Sequence, residues 1–197
     1  ETLAAALVTL SRYRGQDPFC DPFCGSGTIP IEAALIAKNR APGLDRSFAA
    51  QKWKNMDSKL WLEAGDEAMD KEFHGHYDIW GGDIDPAAVD LARHNAELAG
   101  VEDCIRFEVA DAGKFHRDSE YGQLVTNPPY GERLLEKKEA EELYRVFGAA
   151  LRDLPPKWRV LVLSSHTEFE RCFGKQAGKK RKLYNGMIKC DVFMYGK

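Results

Sequence analysis

The sequence predicts an α/β protein with a mostly parallel, seven-stranded sheet, helices on both of its faces and an antiparallel hairpin at its C-terminal end. From Tyr77 onward, short apolar runs alternate with longer segments of helical periodicity, a pattern typical of βαβ units. Near the end, Asn185-Gly186 joins two further apolar runs, which is a strong signal for a hairpin. The 197 residues, of which 44% are hydrophobic, predict one domain with a continuous core.

The N-terminal elements are predicted by the spacing of their apolar residues. The first helix, over residues 2–11, places four apolar residues on one face: Leu3, Ala6, Leu7 and Leu10. A short strand over residues 18–23 leads through a glycine turn into a second helix that ends at about Lys38, with apolar residues at helical spacing: Ile29, Ala33, Ile36 and Ala37. Residues 40–75 carry Trp53 and Trp61 among many charges, and we expect a helical excursion over the sheet.

The second part of the chain has a more regular pattern. Further strands are predicted over residues 78–82, 105–110, 124–126, 159–163, 180–184 and 188–195. Helices are predicted over residues 86–99 and 138–151. Asp85 followed by Pro86 is typical of a helix N-cap and the first helical residue. These strands complete the predicted sheet, and the helices between them connect parallel neighbours.

The stretch CDPFCGSGTIPIEAAL, residues 20–35, predicts a strand that ends in a glycine turn and opens directly into a helix. In open parallel sheets, ligands bind beyond the carboxyl ends of the strands, where backbone amides and helix N-termini point outward. Gly25 and Gly27 would let the main chain approach a ligand closely. The stretch lacks the lysine of a phosphate-binding loop and the third glycine of a dinucleotide fingerprint.

Acidic residues follow the next two strands at the same predicted edge. Asp83 ends the second strand, and we assign it no structural role because Asp85 already serves as the helix N-cap. A carboxylate at this position can accept hydrogen bonds from both ribose hydroxyls of a nucleoside. Asp111 ends the third strand and could accept a hydrogen bond from the amine of adenine. Together with the glycine turn, these residues predict a nucleoside cofactor.

The fourth strand is followed by Asn127, Pro128, Pro129 and Tyr130. Consecutive prolines stiffen the chain and have no amide donors, so nearby carbonyls can be directed at a ligand. If the side-chain oxygen of Asn127 and the carbonyl of Pro128 accept the two hydrogens of a base amine, the nitrogen lone pair is directed toward an electrophile. Tyr130 would then offer a stacking face to a base taken out of its helix. This motif predicts attack of a base amine on an electrophile.

These residues resemble the class I S-adenosylmethionine-dependent amino methyltransferases, in the order DPFCGSGT, GDIDP, a third-strand aspartate and NPPY. More narrowly, KNRAPGLDRSFAAQKW and ETLAAALV resemble the catalytic domain of bacterial THUMP-containing 23S rRNA guanine-N2 methyltransferases, often labelled N6-adenine-specific DNA methylases. The resemblance implies a Rossmann-like class I fold over residues 1–197. It also implies a cytoplasmic protein that methylates structured RNA, 23S rRNA, with RNA binding aided by a THUMP domain that would precede this sequence.

The resemblance also implies roles for individual residues. The methionine end of S-adenosylmethionine would be lined by Asp21, Cys24, Gly25 and Gly27, with Thr2 as a further contact from the first segment. The ribose and adenine would lie against Asp83 with Ile84 and Asp111 with Ala112. The target amine would be bound by the motif residues Asn127, Pro128, Pro129 and Tyr130.

Composition limits the remaining possibilities. A net charge of −3 and a pI near 6.0 do not fit a protein that holds nucleic acid by overall positive charge. The five cysteines are scattered and form no metal-binding pairs, which favours a reducing cytosol and predicts no metal site. A basic run of Lys175, Lys179, Lys180, Arg181 and Lys182, with Tyr184, could hold phosphates beside the site or simply protect the edge of a hairpin.

Three alternative functions stay open at this point. NPPY equally permits methylation of adenine N6 in DNA or RNA. A cofactor-binding scaffold that has lost its activity is another possibility, although an intact NPPY speaks against it. A nicotinamide dehydrogenase is the third, and it is weakened by the missing third glycine and by the lack of a Tyr-x-x-x-Lys motif.

Overall fold

The computed structural model describes residues 1–44, 46–131 and 134–196. The strands are β1 (Phe19–Asp21), β2 (Ile79–Asp83), β3 (Ile105–Val109), β4 (Tyr121–Thr126), β5 (Lys157–Ser164), β6 (Lys179–Asn185) and β7 (Ile188–Tyr195). They form one sheet of seven strands in the order β3-β2-β1-β4-β5-β7-β6. The first five strands are parallel, whereas β7 pairs antiparallel with both β5 and β6. The predicted fold class is confirmed, including the C-terminal hairpin.

The helices lie on both faces of this sheet. They are α1 (Thr2–Ser11), α2 (Thr28–Lys38), α3 (Ser58–Asp70), α4 (Pro86–Leu98), α5 (Leu134–Ala150) and α6 (Phe169–Phe173). One hydrophobic cluster joins α1, α2 and α4 to one face, and a second, richer in aromatic rings, joins α5 and α6 to the other. Strand alternation separates the clusters, since Leu161 belongs to the first and Val162 to the second. No helix among the described residues is long and apolar enough to cross a membrane.

Some element boundaries differ from the predictions. Strand β4 begins at Tyr121 rather than at residue 124, because Gly122 leaves room for the ring of Trp158 on the neighbouring strand. Helix α5 begins at Leu134 rather than at residue 138. Helix α6 was not predicted, because five residues are too few to show helical periodicity. Its rings Phe169 and Phe173 are nevertheless buried in the aromatic cluster.

The excursion over residues 40–75 is helical, but the prediction that it lies over the sheet is wrong. Helix α3 has no buried residue and instead extends from the end of α2. The chain at its C-terminal end is attached there. Arg40 forms a 2.6 Å ion pair with Glu72. The side-chain amide of Asn39 donates a 3.0 Å hydrogen bond to the Lys71 carbonyl, and the backbone amide of Phe73 donates a 2.6 Å bond to the Lys38 carbonyl. Both faces of the sheet are already covered by the other helices, which leaves α3 outside the core.

A pair of glycine substitutions tests the packing of α5 against α6. Alanine in a helix interior is favoured over glycine by about 1 kcal/mol. At Gly148, however, a Cβ atom would overlap the carbonyl of Phe173, so Gly148→Ala should lower the midpoint of thermal unfolding. At Gly65 in α3, a Cβ atom would meet no atom within 4 Å, so Gly65→Ala should not lower it. Equal effects of the two variants in thermal denaturation would contradict this packing.

Candidate functional site

A cavity of about 400 Å³ lies at the carboxyl ends of the parallel strands β1, β2 and β4. The predicted site residues that line it are Gly25, Asp83, Ile84, Asp111, Ala112, Asn127, Pro128, Pro129 and Tyr130. The predicted residues that do not line it are Thr2, Asp21, Cys24 and Gly27. Sequence reasoning missed Pro22, Phe23 and Leu143, which also line the cavity. Pro22 and Phe23 stand inside the strand-to-turn stretch and could have been found there, whereas Leu143 carries no sequence signal because only the packing of α5 brings it to the cavity.

The glycine turn after β1 presents backbone rather than side chains to the cavity. Gly25 has φ of +50°, and a Cβ atom built on it would meet no atom within 4 Å. A ligand can therefore approach this main chain closely. Gly27, with φ of +82°, differs, because a Cβ atom there would lie 2.9 Å from that of Ala92 on α4. The space at Gly27 is used for packing of the turn against the protein, while the space at Gly25 is open.

Asp83 fixes the glycine turn to the end of β2. Its carboxylate accepts one hydrogen bond of 3.0 Å from the Gly25 amide and another of 3.0 Å from the Asp85 amide. The interpretation that Asp83 has no structural role is therefore wrong. Asp85 is the N-cap of α4 as predicted, since its side chain accepts a 2.9 Å bond from the Ala87 amide. A carboxylate offers about four acceptor positions, so Asp83 keeps capacity for two ribose hydroxyls.

The end of β3 combines a carboxylate with apolar surface. Asp111 is exposed and caps a short 3₁₀ turn over Ala112–Lys114. Its carboxylate accepts a 2.8 Å hydrogen bond from the Gly113 amide. Ala112 is buried beside it, and Ile84 lines the cavity with 73% of its surface exposed. An exposed isoleucine in a cavity next to a polar acceptor provides the apolar surface and the orienting group that binding sites for flat ligands combine. This part of the cavity fits an adenine ring.

Asp21, the last residue of β1, is buried with 1% of its surface exposed. Its Oδ1 accepts a 2.5 Å hydrogen bond from the hydroxyl of Thr126 and a 3.1 Å bond from the Phe23 amide. Its Oδ2 is buried and has no hydrogen-bond partner within the described ranges. Burial raises the pKa of this carboxyl to about 7, against the two hydrogen bonds, which lower it. A buried acceptor with unused capacity, next to the cavity-lining Pro22, fits the positively charged amino group of S-adenosylmethionine.

The loop that carries the NPPY motif has one internal hydrogen bond and is attached to other elements by two more. The hydroxyl of Tyr130 donates a 2.5 Å hydrogen bond to Oδ1 of Asn127 and accepts a 3.4 Å bond from Asn185 at the end of β6. The hydroxyl of the buried Tyr144 donates a 2.6 Å bond to the carbonyl of Pro129. Burial raises the pKa of the Tyr130 hydroxyl above its ordinary value, so it remains a donor at neutral pH. These bonds orient the Asn127 side chain in the cavity wall.

Two other predicted residues lie apart from the cavity lining. Cys24 is buried in the hydrophobic cluster beneath α1, α2 and α4, and burial raises the pKa of its thiol. Thr2 is exposed at the start of α1. All five cysteines are unpaired and buried. Among the described residues, no group of three or more His, Cys, Asp or Glu side chains could hold a metal ion.

The predicted basic run is divided by the alternation of β6. Lys179 and Arg181 line a different cavity together with Arg12 and Arg159. On the other face, Lys180 forms a 2.7 Å ion pair with Glu170. Strand β6 is the edge of the sheet, which fits the role of lysines in protecting an exposed edge. The run as a whole therefore does not lie beside the site, and only its C-terminal end approaches it.

A family model described as "RMKL-like, methyltransferase domain" matches residues 1–193. The chain belongs to this family. Membership in the RMKL-like family confirms the resemblance to a methyltransferase catalytic domain and makes S-adenosylmethionine the cofactor. It also removes the nicotinamide dehydrogenase from the possible functions.

Two curated relatives of this RMKL-like domain are much longer than the chain. It is 47% identical to the "Putative RNA methyltransferase YpsC" of Bacillus subtilis (strain 168), over 99% of the chain and 51% of the relative. It is 40% identical to "Ribosomal RNA large subunit methyltransferase K/L" of Shewanella baltica (strain OS195), over 99% of the chain and 28% of the relative. The chain thus spans about half or less of the length of these relatives.

Solved structures share the RMKL-like fold closely. SMU.472, described as "a putative methyltransferase complexed with SAH", superimposes with a TM-score of 0.94 at 41% identity, covering 99% of this chain and 52% of that one. A "predicted N6-adenine-specific DNA methylase" from Listeria monocytogenes str. 4b F2365 gives 0.93 at 44% identity, covering 100% and 51%. These matches confirm the Rossmann-like methyltransferase fold.

Replacement of Asp21 tests the protonation of the buried carboxyl. Because its pKa rises from the ordinary 3.8 to about 7 on folding, the unfolded chain loses this proton between about pH 4 and 7 while the folded protein retains it. The stability that protonated Asp21 allows is therefore fully present at low pH. The free energy of unfolding falls as the pH rises from about 4 to 7. Asp21→Asn cannot ionise, so its melting temperature relative to the unmodified protein should rise from pH 4 to pH 8. The exposed Asp66→Asn is the control, and a pH-independent difference for Asp21→Asn would contradict the assignment.

Proposed function

We propose that this domain transfers a methyl group from S-adenosylmethionine to the exocyclic N2 amine of a guanine in 23S rRNA. The observation that carries the proposal is that Asn127, Pro128 and Tyr130 share one cavity with Gly25 and Asp83. A nucleoside cofactor held at the glycine turn would therefore lie next to a motif suited to an amine. The names of the relatives, which include a ribosomal RNA methyltransferase and an RNA methyltransferase, support RNA as the substrate.

The cofactor contributes a methyl group on a positively charged sulfur, which is already activated for transfer. The protein therefore has to bind and orient the cofactor and the target amine, and it does not have to activate the methyl group. Asp83 would accept the ribose hydroxyls, and Asp111 with Ile84 and Ala112 would hold the adenine. The open backbone at Gly25 would lie along the methionine part, with Asp21 beneath it as the acceptor for the amino group.

Asn127 would hold the target amine. Its Oδ1 accepts the hydroxyl of Tyr130 and keeps a second lone pair for one hydrogen of the amine. The carbonyl of Pro128 would accept the other hydrogen. Since an amine whose two hydrogens are bound in this way directs its lone pair away from the base, the nitrogen would face the methyl group. Tyr130 would orient the Asn127 side chain. Its hydroxyl donates to the side-chain oxygen of Asn127 and not to the side-chain nitrogen, which fixes the direction in which the amide points.

Positioning is sufficient for the reaction. Good orientation of two reacting groups can supply roughly 7 to 11 kcal/mol of a barrier. As the nitrogen–carbon bond forms and the carbon–sulfur bond breaks, the positive charge passes from sulfur to the amine, whose proton can then leave to water. No strong base is required beside Asn127, so the buried Asp21 needs no role in proton transfer.

The full activity involves more than this domain. The relatives are about twice as long or longer, and we propose that residues 1–197 form the methyltransferase domain of a protein in which a THUMP domain aids the binding of RNA. Ribosomal RNA as the substrate would place the protein in the cytoplasm. The net charge of −3 supports the need for a further RNA-binding part.

Two substitutions separate substrate binding from cofactor binding. Asn127→Ala should reduce kcat for methyl transfer by at least a hundredfold and change the Kd of S-adenosylmethionine less than threefold, because its contact is made to the substrate amine. Asp83→Ala should instead weaken cofactor binding. Isothermal titration with S-adenosylhomocysteine and single-turnover methylation measure the two quantities. Equal losses of cofactor affinity and transfer rate in Asn127→Ala would contradict its assignment.

The modified base identifies the reaction. Labelled S-adenosylmethionine and unmodified 23S rRNA are incubated with the protein including any further domains, the RNA is digested, and the labelled nucleoside is identified by mass spectrometry. We expect N2-methylguanosine. N6-methyladenosine would instead support the adenine methyltransferase that the NPPY motif also permits, and RNA without label, with cofactor bound, would favour a silent scaffold.

A further inference from the structure

The turn between β6 and β7 exposes apolar side chains to water. Met187 is 99% exposed, and Tyr184 and Ile188 are also exposed beside it. Gly186, with φ of +60°, forms the turn that projects Met187 outward. Exposed apolar surface that clusters at one projection is typical of a contact site for another molecule. We call residues 184–188 the hairpin tip.

The hairpin tip is linked directly to the NPPY loop. Asn185 donates its 3.4 Å hydrogen bond to the Tyr130 hydroxyl, and that hydroxyl donates to Asn127. Below the tip, Leu183 and Cys190 pack in the same hydrophobic cluster as the ring of Tyr130. One side chain therefore separates the tip from the residue that would hold the target amine. The tip therefore adjoins the part of the cavity wall that Tyr130 and Asn127 form.

The charge of the hairpin suits a polyanion. Strands β6 and β7 together carry five basic residues and one acidic residue, namely Lys179, Lys180, Arg181, Lys182 and Lys189 against Asp191. Strand alternation divides them between two faces: Lys180, Lys182 and Lys189 share one face with Asp191, and Lys179 and Arg181 lie on the other. Lys182 and Lys189 are exposed in the part of the hairpin next to the tip. Phosphates beside the tip would be attracted to them.

We propose that the hairpin tip inserts Met187 between the bases that flank the target nucleotide of the RNA substrate. This inference rests on the proposed function. A base that enters the cavity has to leave its stack, which costs a few kcal/mol and leaves a gap. Apolar side chains, methionine among them, can be inserted between bases and stabilise such an unstacked state. Met187 contacts the opened stack while Lys182 and Lys189 bind the adjoining phosphates.

The test compares Met187→Ala with Met69→Ala. Met69 lies on α3, away from the cavity, and is 50% exposed, so it controls for the loss of an exposed methionine. Each variant, in the protein with any further domains it carries, is given folded 23S rRNA and a short unpaired oligonucleotide that spans the mapped methylation site. Met187→Ala should lower kcat/KM on folded RNA at least tenfold and on the oligonucleotide less than twofold. Met69→Ala should change neither.

The outcomes separate this inference from the proposed function. If the unmodified protein methylates neither RNA, the proposed function fails. If it methylates both, and Met187→Ala has no effect or lowers both rates equally, the insertion of Met187 is overturned.

A photoreactive phenylalanine analogue in place of Met187 supplies a second measurement. A cross-link to RNA within two nucleotides of the methylated base is expected. A cross-link only to protein would show that the tip docks on another domain, and it would overturn the proposal.

Discussion

The site depends on the parallel pairing of β1 with a strand on each side. This strand has only three residues, yet Phe19 pairs with Ile79 of β2 and also with Gln123 of β4. Parallel pairing brings the carboxyl ends of all three strands to the same edge, where the chain leaves β1 for the glycine turn. Asp83 then joins β2 to that turn, and Thr126 joins β4 to Asp21. The residues that line the cavity are thus held together by the sheet itself.

Polar groups at this edge combine structural and binding roles. Asp83 orders the glycine turn, and the same carboxylate has capacity for a ribose. Asp21 is held by Thr126, and its second oxygen has no partner in the described part of the chain, so its burial disfavours the charged form until a cation approaches. In the absence of a ligand, burial of this carboxyl lowers the free energy of unfolding. The fold is therefore less stable than it would be with an apolar residue at this position of the cavity edge.

The sequence predicted best what depends on neighbouring residues. Gly25, Asp83, Asp111 and Asn127 were found because each lies at or shortly after the carboxyl end of a strand, and parallel strands bring such positions together. Tertiary packing decided the rest. The contribution of Leu143 and the bond from Tyr144 to Pro129 depend on how α5 lies on the sheet, which periodicity cannot specify. The open space at Gly25 and the filled space at Gly27 could not be distinguished either, because two glycines in one turn look alike in sequence.

The attachment of α3 has a consequence for how such a domain can change during evolution. The excursion leaves the end of α2 and returns to the same place, where Lys38 and Asn39 bond to Phe73 and Lys71. Its two ends are therefore neighbours in space, and a chain of another length or shape could join them without disturbing the sheet. A change in the length of this excursion would therefore leave the cavity at the carboxyl ends of the strands in place. The excursion is a position where an insertion can add binding surface to this domain without changing the sheet.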